Sequence, residues 1–385
     1  MRAATGESRA RLGAVVTAYA VLFAMGLADN ARGPAYPRIL QHFGIAASVG
    51  SFMFTAASVG SVLVSWTGRT WLTRFGAAKA VRVFAAILSA ACVGMGLVGF
   101  SRAGVAGLVG VSLAFGVGAT GCSMCANSLV ADGGDPAHRR RLLSGLHSTY
   151  GASSLLAPIV VAACGRLGLD WRCSFFALAA APFLAGAVAV IARPADAIRA
   201  PSLPAPPAAS PPGAGVPKTC LVLALYVAAE IAISTRLPLL AERHFGWGRD
   251  AAALCLSAFF ALLLAGRLAF ALLHFRVASA RLLVLSAGVS LAAYLVGLFV
   301  HPAGLAACGL TMSFFFPTAI DWIRAEHGDG WQRVLASAVA AVGVALVVMH
   351  FAVGVLTDVV GIRDALLVGP ACLVALLLLL ARQRR

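Results

Sequence analysis

Twelve runs of apolar residues, each long enough to cross a lipid bilayer, follow one another along this chain of 385 residues. A hydrocarbon core about 30 Å thick takes roughly 20 apolar residues per helix. Lipid admits only helices or closed barrels, because each backbone polar group must find its partner inside the protein. The runs are continuous, not alternating, and this selects helices. The expected spans are 12–40, 47–71, 79–101, 103–131, 142–165 and 171–193, then 218–244, 250–276, 279–300, 303–326, 332–358 and 363–382. With 61% hydrophobic residues, 11% charged residues and a mean hydropathy of +0.91, the composition lies outside the soluble range. The fold class is therefore an all-α membrane protein of twelve transmembrane helices in two six-helix bundles.

In a soluble chain a net charge of +16 would point to nucleic acid. Here the basic residues fall mostly between apolar segments, where they set topology, so the expected partner is the bilayer and not a nucleic acid. The stretch PSLPAPPAASPPGAGVP, residues 201–217, holds seven of the seventeen prolines and cannot be helical. It divides the chain into an N-terminal bundle (1–193), a cytoplasmic linker (194–217) and a C-terminal bundle (218–385). Placing both termini in the cytoplasm puts 21 of the 30 Lys and Arg on or near that side, as the positive-inside rule expects. No small-residue cleavage site follows a short apolar stretch, so the first segment reads as a retained helix. These features fit a multi-pass, monomeric protein of the cell (inner) membrane. The nine cysteines lie almost wholly in apolar segments and imply no disulfide framework. Cys122-Ser-Met-Cys125 has a ligand-like spacing but no second pair or nearby histidine, so no metal or other cofactor is expected.

The halves echo one another. His42-Phe43-Gly44 recurs as His244-Phe245-Gly246 at an offset of 202, and the same offset carries Arg74 onto Arg276 and Lys79 onto Arg281. Parallel six-helix repeats of this kind occur in secondary transporters, with the substrate site near the midplane.

A carboxylate at the bilayer centre costs about 2.5–3.5 kcal/mol on insertion scales, so an acid in a span faces a cavity or a partner. Asp29, in GLADNARGPAYP, lies 18 residues after Arg11; Glu230 lies 12 residues after Lys218. At the offset of 202 the two fall within one residue of equivalence. Asp29 reads either as a protonatable site or as an ion pair with Arg32, three residues on and on the same helical face. Glu230 reads either as a proton or substrate site, with Tyr226 one turn before it, or as a carboxylate neutralised by Arg236. Asn30, Tyr36, Pro34 and Pro37 mark a disturbed helix that would line the cavity or merely kink. The other polar candidates for substrate contact are Asn127 in span 4, which needs partners in lipid and so is expected to face the cavity, His147 and Tyr150 in HSTYGASS of span 5, with the alternative of bonds back to the helix, and His350 in span 11, with the alternative of a bond to a neighbouring helix. Asp321 and Asp358, near span ends, read as caps or pairs.

Taken together, GLADN, CANSLV, LHSTYGASSLLAP, LYVAAEIAISTRLPLL and AGRL resemble the fucose-proton symporter branch of the major facilitator superfamily. The resemblance covers nearly the whole chain and implies monosaccharide uptake with protons, one half rocking against the other. It also implies that Asp29 is the proton-coupling acid, Asn127 the span-4 asparagine, and Glu230 the acid following a tyrosine in span 7. Two positions depart from the pattern. Ser123 stands where the symporter has a glutamate, and Thr73-Arg74-Phe75-Gly76 lacks the acid of the superfamily's Asp-Arg-x-Gly loop. The second departure implies that the inward gate is latched differently, with Arg69, Arg74, Arg82 and Asp358 or Asp132 as substitutes, and Arg74 and Arg276 are taken as the gating residues. The sequence thus predicts a secondary transporter of a small polar solute, a sugar or sugar derivative, coupled to protons through Asp29 and Glu230. Substrate contacts are expected from Asn30, Tyr36, Ser123, Asn127, His147, Tyr150, Tyr226 and His350. The alternative is a proton-antiport exporter of a drug, siderophore or metabolite. The clustered constellation that an intramembrane enzyme needs does not occur, and no catalytic residue is assigned.

Overall fold

A computed structural model describes residues 2–100, 104–133, 139–192, 194, 215–272 and 277–381. Arg276 and residues 195–214 of the expected linker lie outside the described residues, while Val216 and Pro217, expected to end the linker, open the following helix, since proline is tolerated in a first turn. Among the described residues the regular elements are all helices, one of them a 3-10 turn at Gly328–Gly330, and twelve helical segments are long and apolar enough to cross a membrane. They fall where the apolar runs lie.

Three of the twelve spans are interrupted, and one mechanism accounts for the place of each break. Span 1 is α1 (Arg2–Asn30) followed by α2 (Arg32–Phe43). Spans 2 to 9 are α3 (Ala47–Phe75), α4 (Ala77–Val98), α5 (Gly104–Gly133), α6 (Arg139–Arg166), α7 (Trp171–Ile191), α8 (Val216–Arg243), α9 (Arg249–Leu272) and α10 (Ser279–Phe299). Span 10 is α11 (Ala303–Met312) and α12 (Phe315–His327), span 11 is α13 (Trp331–Val360), and span 12 is α14 (Ile362–Ala365) and α15 (Val368–Ala381). Proline cannot donate to the carbonyl four residues back, and its ring crowds that carbonyl. Counting back four from Pro34, Pro317 and Pro370 gives Asn30, Ser313 and Leu366, which are the last residue of α1 and the C-caps of α11 and α14. Proline alone does not suffice: Pro158, Pro182 and Pro238 lie inside α6, α7 and α8, which run on.

The repeated tripeptide lies at a helix end in both places, its ring pair closing α2 in one and following α8 in the other. His42 and Phe43 meet edge-to-face at 4.9 Å, and His244 and Phe245 do so at 4.8 Å. Each pair is followed by a glycine in the left-handed region, Gly44 at φ 60 and Gly246 at φ 69, where a Cβ would be strained.

The chain divides into two compact units. The first comprises Met1–Ala31, Ala56–Val160 and Leu167–Pro207. In it α1 and α4 each pack against α5 and α7 around a core rich in alanine. Small residues let the backbones approach, as where Gly116 lies against the Ala57 carbonyl. The second comprises Arg32–Thr55, Val161–Arg166 and Ala208–Arg385. There α8 is central, packed by α13, α15 and α2, while α9 and α10 hold α11. The break after Asn30 coincides with the boundary, so α2 and the first turns of α3 belong to the second unit.

Candidate functional site

In the first unit, a polar cluster forms where α1 ends. The Tyr150 hydroxyl, on α6, donates to Asp29 Oδ2 at 3.4 Å. Asn30 Nδ2 donates to Ser154 Oγ at 2.9 Å, to the Gly26 carbonyl at 2.9 Å and to the Tyr150 oxygen at 3.3 Å. Ser154 and Ser153 donate in turn to the Tyr150 carbonyl. Gly26 makes this possible, since a side chain there would run into Ser153 and the Tyr150 ring. Asp29, Asn30 and Tyr150 are half-buried, so the carboxylate is neither sealed in hydrocarbon nor fully in water. Asp29, Asn30 and Tyr150 are thus brought together. His147, one turn before Tyr150, is exposed, and the Asn127 amide bonds back to the Ser123 carbonyl at 2.8 Å on its own helix.

A second polar cluster, in the other unit, sits at the break of span 10. Met312 ends α11, and its carbonyl accepts the Tyr226 hydroxyl at 2.9 Å. The Tyr226 ring stacks on Phe315 at 3.9 Å and 8°. One turn on, the half-buried Glu230 lies near the same hydroxyl, and Arg267 of α9 is the nearby cation. A buried tyrosine thus satisfies a carbonyl freed by the interruption, which in hydrocarbon would cost about 1–3 kcal/mol if left unpaired.

Arg236 does not neutralise Glu230, contrary to one reading of the sequence. Its guanidinium turns instead toward α2 and α3, where Tyr36 and Phe54, adjacent rings 5.2 Å apart, lie 4.5 and 4.4 Å from it. Nη2 donates to Ser51 Oγ at 2.9 Å, and the Tyr36 hydroxyl donates to the Ala47 carbonyl at 2.8 Å. Arg236 is only 1% exposed. Cation–π contacts offset about 0.5–2 kcal/mol each, whereas taking a guanidinium out of water costs several kcal/mol. His350 of α13 is also buried and stacks on Phe54 at 5.2 Å, and Arg32 lies over the same ring at 5.5 Å. The sequence marks Tyr36 and His350 separately; Ser51 and Phe54 escape notice there, because a serine and a phenylalanine in an apolar span carry no signal. The one clue was an arginine inside LYVAAEIAISTRLPLL.

Near the ends of α3 and α13 the same unit carries a capping contact. Both Asp358 oxygens accept backbone N–H groups at the start of α3, from Ala47 and Ser48, at 2.8 Å each. An anion belongs there, because the first N–H groups of a helix have no partner and carry partial positive charge. Asp250 lies 3.6 Å from Arg38 and 3.8 Å from Arg166. Of the gating candidates, Arg74 is exposed at the end of α3 with its guanidinium over Phe75.

Compared with known proteins, residues 18–329 match the sequence profile of the Major Facilitator Superfamily. No curated protein sequence matches the chain. Solved structures similar to it include a bacterial homologue of the human lysosomal transporter Spinster in an inward-facing, occupied conformation, with TM-score 0.77 and 13% identity over 95% of each chain. A D-xylose-proton symporter aligns with TM-score 0.69 and 16% identity over 97% of this chain and 96% of its own. A nucleoside transporter aligns with TM-score 0.77 and 9% identity over 98% and 100%. At such identities the likeness speaks for the fold.

Proposed function

Since the chain belongs to the Major Facilitator Superfamily, a family of membrane transporters and not of catalysts, we propose that it moves a small polar solute, a sugar or sugar derivative, coupled to protons through Asp29 and Glu230. One observation carries the reading: each acid stands beside a tyrosine hydroxyl at a proline-made break in a span. Asp29 has Tyr150 at the end of α1; Glu230 has Tyr226 at the end of α11. Interrupted helices place polar groups at membrane depth only where they border protein or a cavity. An acid held there can take up a proton from one side and release it to the other. The functional halves in this reading are 1–193 and 218–385, with both termini in the cytoplasm of a cell-membrane protein that works as a monomer. Asn30, Tyr150 and Tyr226 are the nearest candidates for substrate contact, and Arg74 and Arg276 for the gate. Sugar as the class follows the likeness of GLADN, LHSTYGASSLLAP and LYVAAEIAISTRLPLL to the fucose-proton symporters.

The test is substrate-induced proton movement. Adding L-fucose, D-glucose or D-glucuronate to proteoliposomes carrying the full-length chain should alkalinise a weakly buffered exterior as solute and proton enter together. Ser123, which stands where the symporters have an acid, favours export by proton antiport as the second reading. In that case the same addition would acidify the medium. No proton movement alongside measurable uptake would refute coupling.

A further inference from the structure

The best case in the molecule for an unassigned ligand is the guanidinium of Arg236. Of its five N–H donors, one makes a bond of ordinary length, to Ser51 Oγ at 2.9 Å, and another reaches the Thr235 carbonyl only at 3.5 Å. Both acceptors are neutral, and among the described residues no carboxylate pairs with it. His350, 4% exposed, stacks on the Phe54 ring that flanks Arg236, and its Nδ1 has no hydrogen-bond partner among the described residues. Arg32 brings a second guanidinium over that ring. Three basic side chains, from α2, α8 and α13, therefore surround one phenyl group. If Arg236 served only to fill space, a neutral side chain of its size would serve without the cost of burying a charge.

We infer that this cluster binds an oxyanion group, a carboxylate or a phosphate, on the transported solute, with Arg236 as its main ligand and Arg32 and His350 flanking it. The inference rests on the transporter reading above and adds the charge of the substrate. A planar guanidinium matches two oxygens of such a group at once, and the Tyr36 and Phe54 rings fix its orientation while leaving donors unused. In the present conformation the Ser51 hydroxyl occupies one of those donors and the site is closed: Gly50 abuts Tyr36 and Leu40, and Gly354 abuts Ser51. An incoming anion would take the donor that the Ser51 hydroxyl now occupies.

Uptake of D-glucuronate, glucose 6-phosphate and D-glucose into proteoliposomes carrying the full-length chain tests this. The expected result is transport of at least one of the two anions in preference to D-glucose, a KM raised at least tenfold in Arg236→Gln, and partial recovery in Arg236→Lys. Which anion is taken separates carboxylate from phosphate. Should Arg236→Gln fail to fold, the wild-type melting temperature decides: it should rise with the transported anion and not with D-glucose, and His350→Ala should weaken that rise. Transport of D-glucose alone, with the same KM in Arg236→Gln, would overturn the inference and leave the transporter reading standing. Uptake of none of the three, with no change in melting temperature, would count against both.

Discussion

Asp358 shows what a single side chain contributes. Its two oxygens hold two N–H groups of the first turn of α3, at 2.8 Å each. Loss of such a cap costs about 1 kcal/mol. Asp358→Ala should therefore lower the melting temperature of the detergent-purified protein. Asp358→Asn, which keeps one accepting oxygen, should lower it less; equal melting of all three proteins would show that the cap contributes nothing. The sequence marks Asp358 as a cap or a pair because it stands near a span end, but not which helix it caps, since Ala47 lies 311 residues away. Asp29 and Tyr150 were legible one by one, and their meeting was not. A pairing between helices has no linear code, whereas a charge inside an apolar run is visible at once. Arg236 was legible in the same limited way: its cost could be read, its companions could not.

Among elements, the proline breaks are legible in retrospect from a four-residue count, yet Pro158 and Pro182 obey the same count without breaking their helices. Local sequence nominates the breaks and tertiary packing chooses among them. Pro34→Ala returns an N–H donor within reach of the Asn30 carbonyl and should join α1 to α2. We expect a higher melting temperature and slower uptake; faster uptake would show that the break plays no part in transport. Tyr226→Phe leaves the Met312 carbonyl without its partner and should destabilise the protein by about 1–3 kcal/mol, read as a lower melting temperature. The repeated turn gives a paired expectation. A left-handed conformation costs about 1–2 kcal/mol for a residue with a Cβ, so Gly44→Ala and Gly246→Ala should destabilise by similar amounts. Very different losses would mean that the echo at an offset of 202 is confined to local geometry.

For the molecule as a whole, the twelve spans follow from hydrophobic length alone, and so the fold was the most legible level. The bilayer demands about 20 apolar residues per crossing whatever the rest of the sequence does. Division into compact units was less so, because Arg32–Thr55 packs with α8, which begins almost two hundred residues later. Substrate identity lies beyond periodicity altogether, since a site built from scattered polar side chains on several helices has no linear code. What joins the levels is the claim that an acid at a broken helix carries protons. Its most direct test is accumulation of a labelled sugar or sugar acid in proteoliposomes under an inward proton gradient, comparing the wild type with Asp29→Asn. The account predicts that the wild type concentrates solute until a protonophore is added, and that Asp29→Asn loses accumulation at least tenfold while still exchanging solute across the membrane. Undiminished gradient-driven accumulation by Asp29→Asn would contradict it.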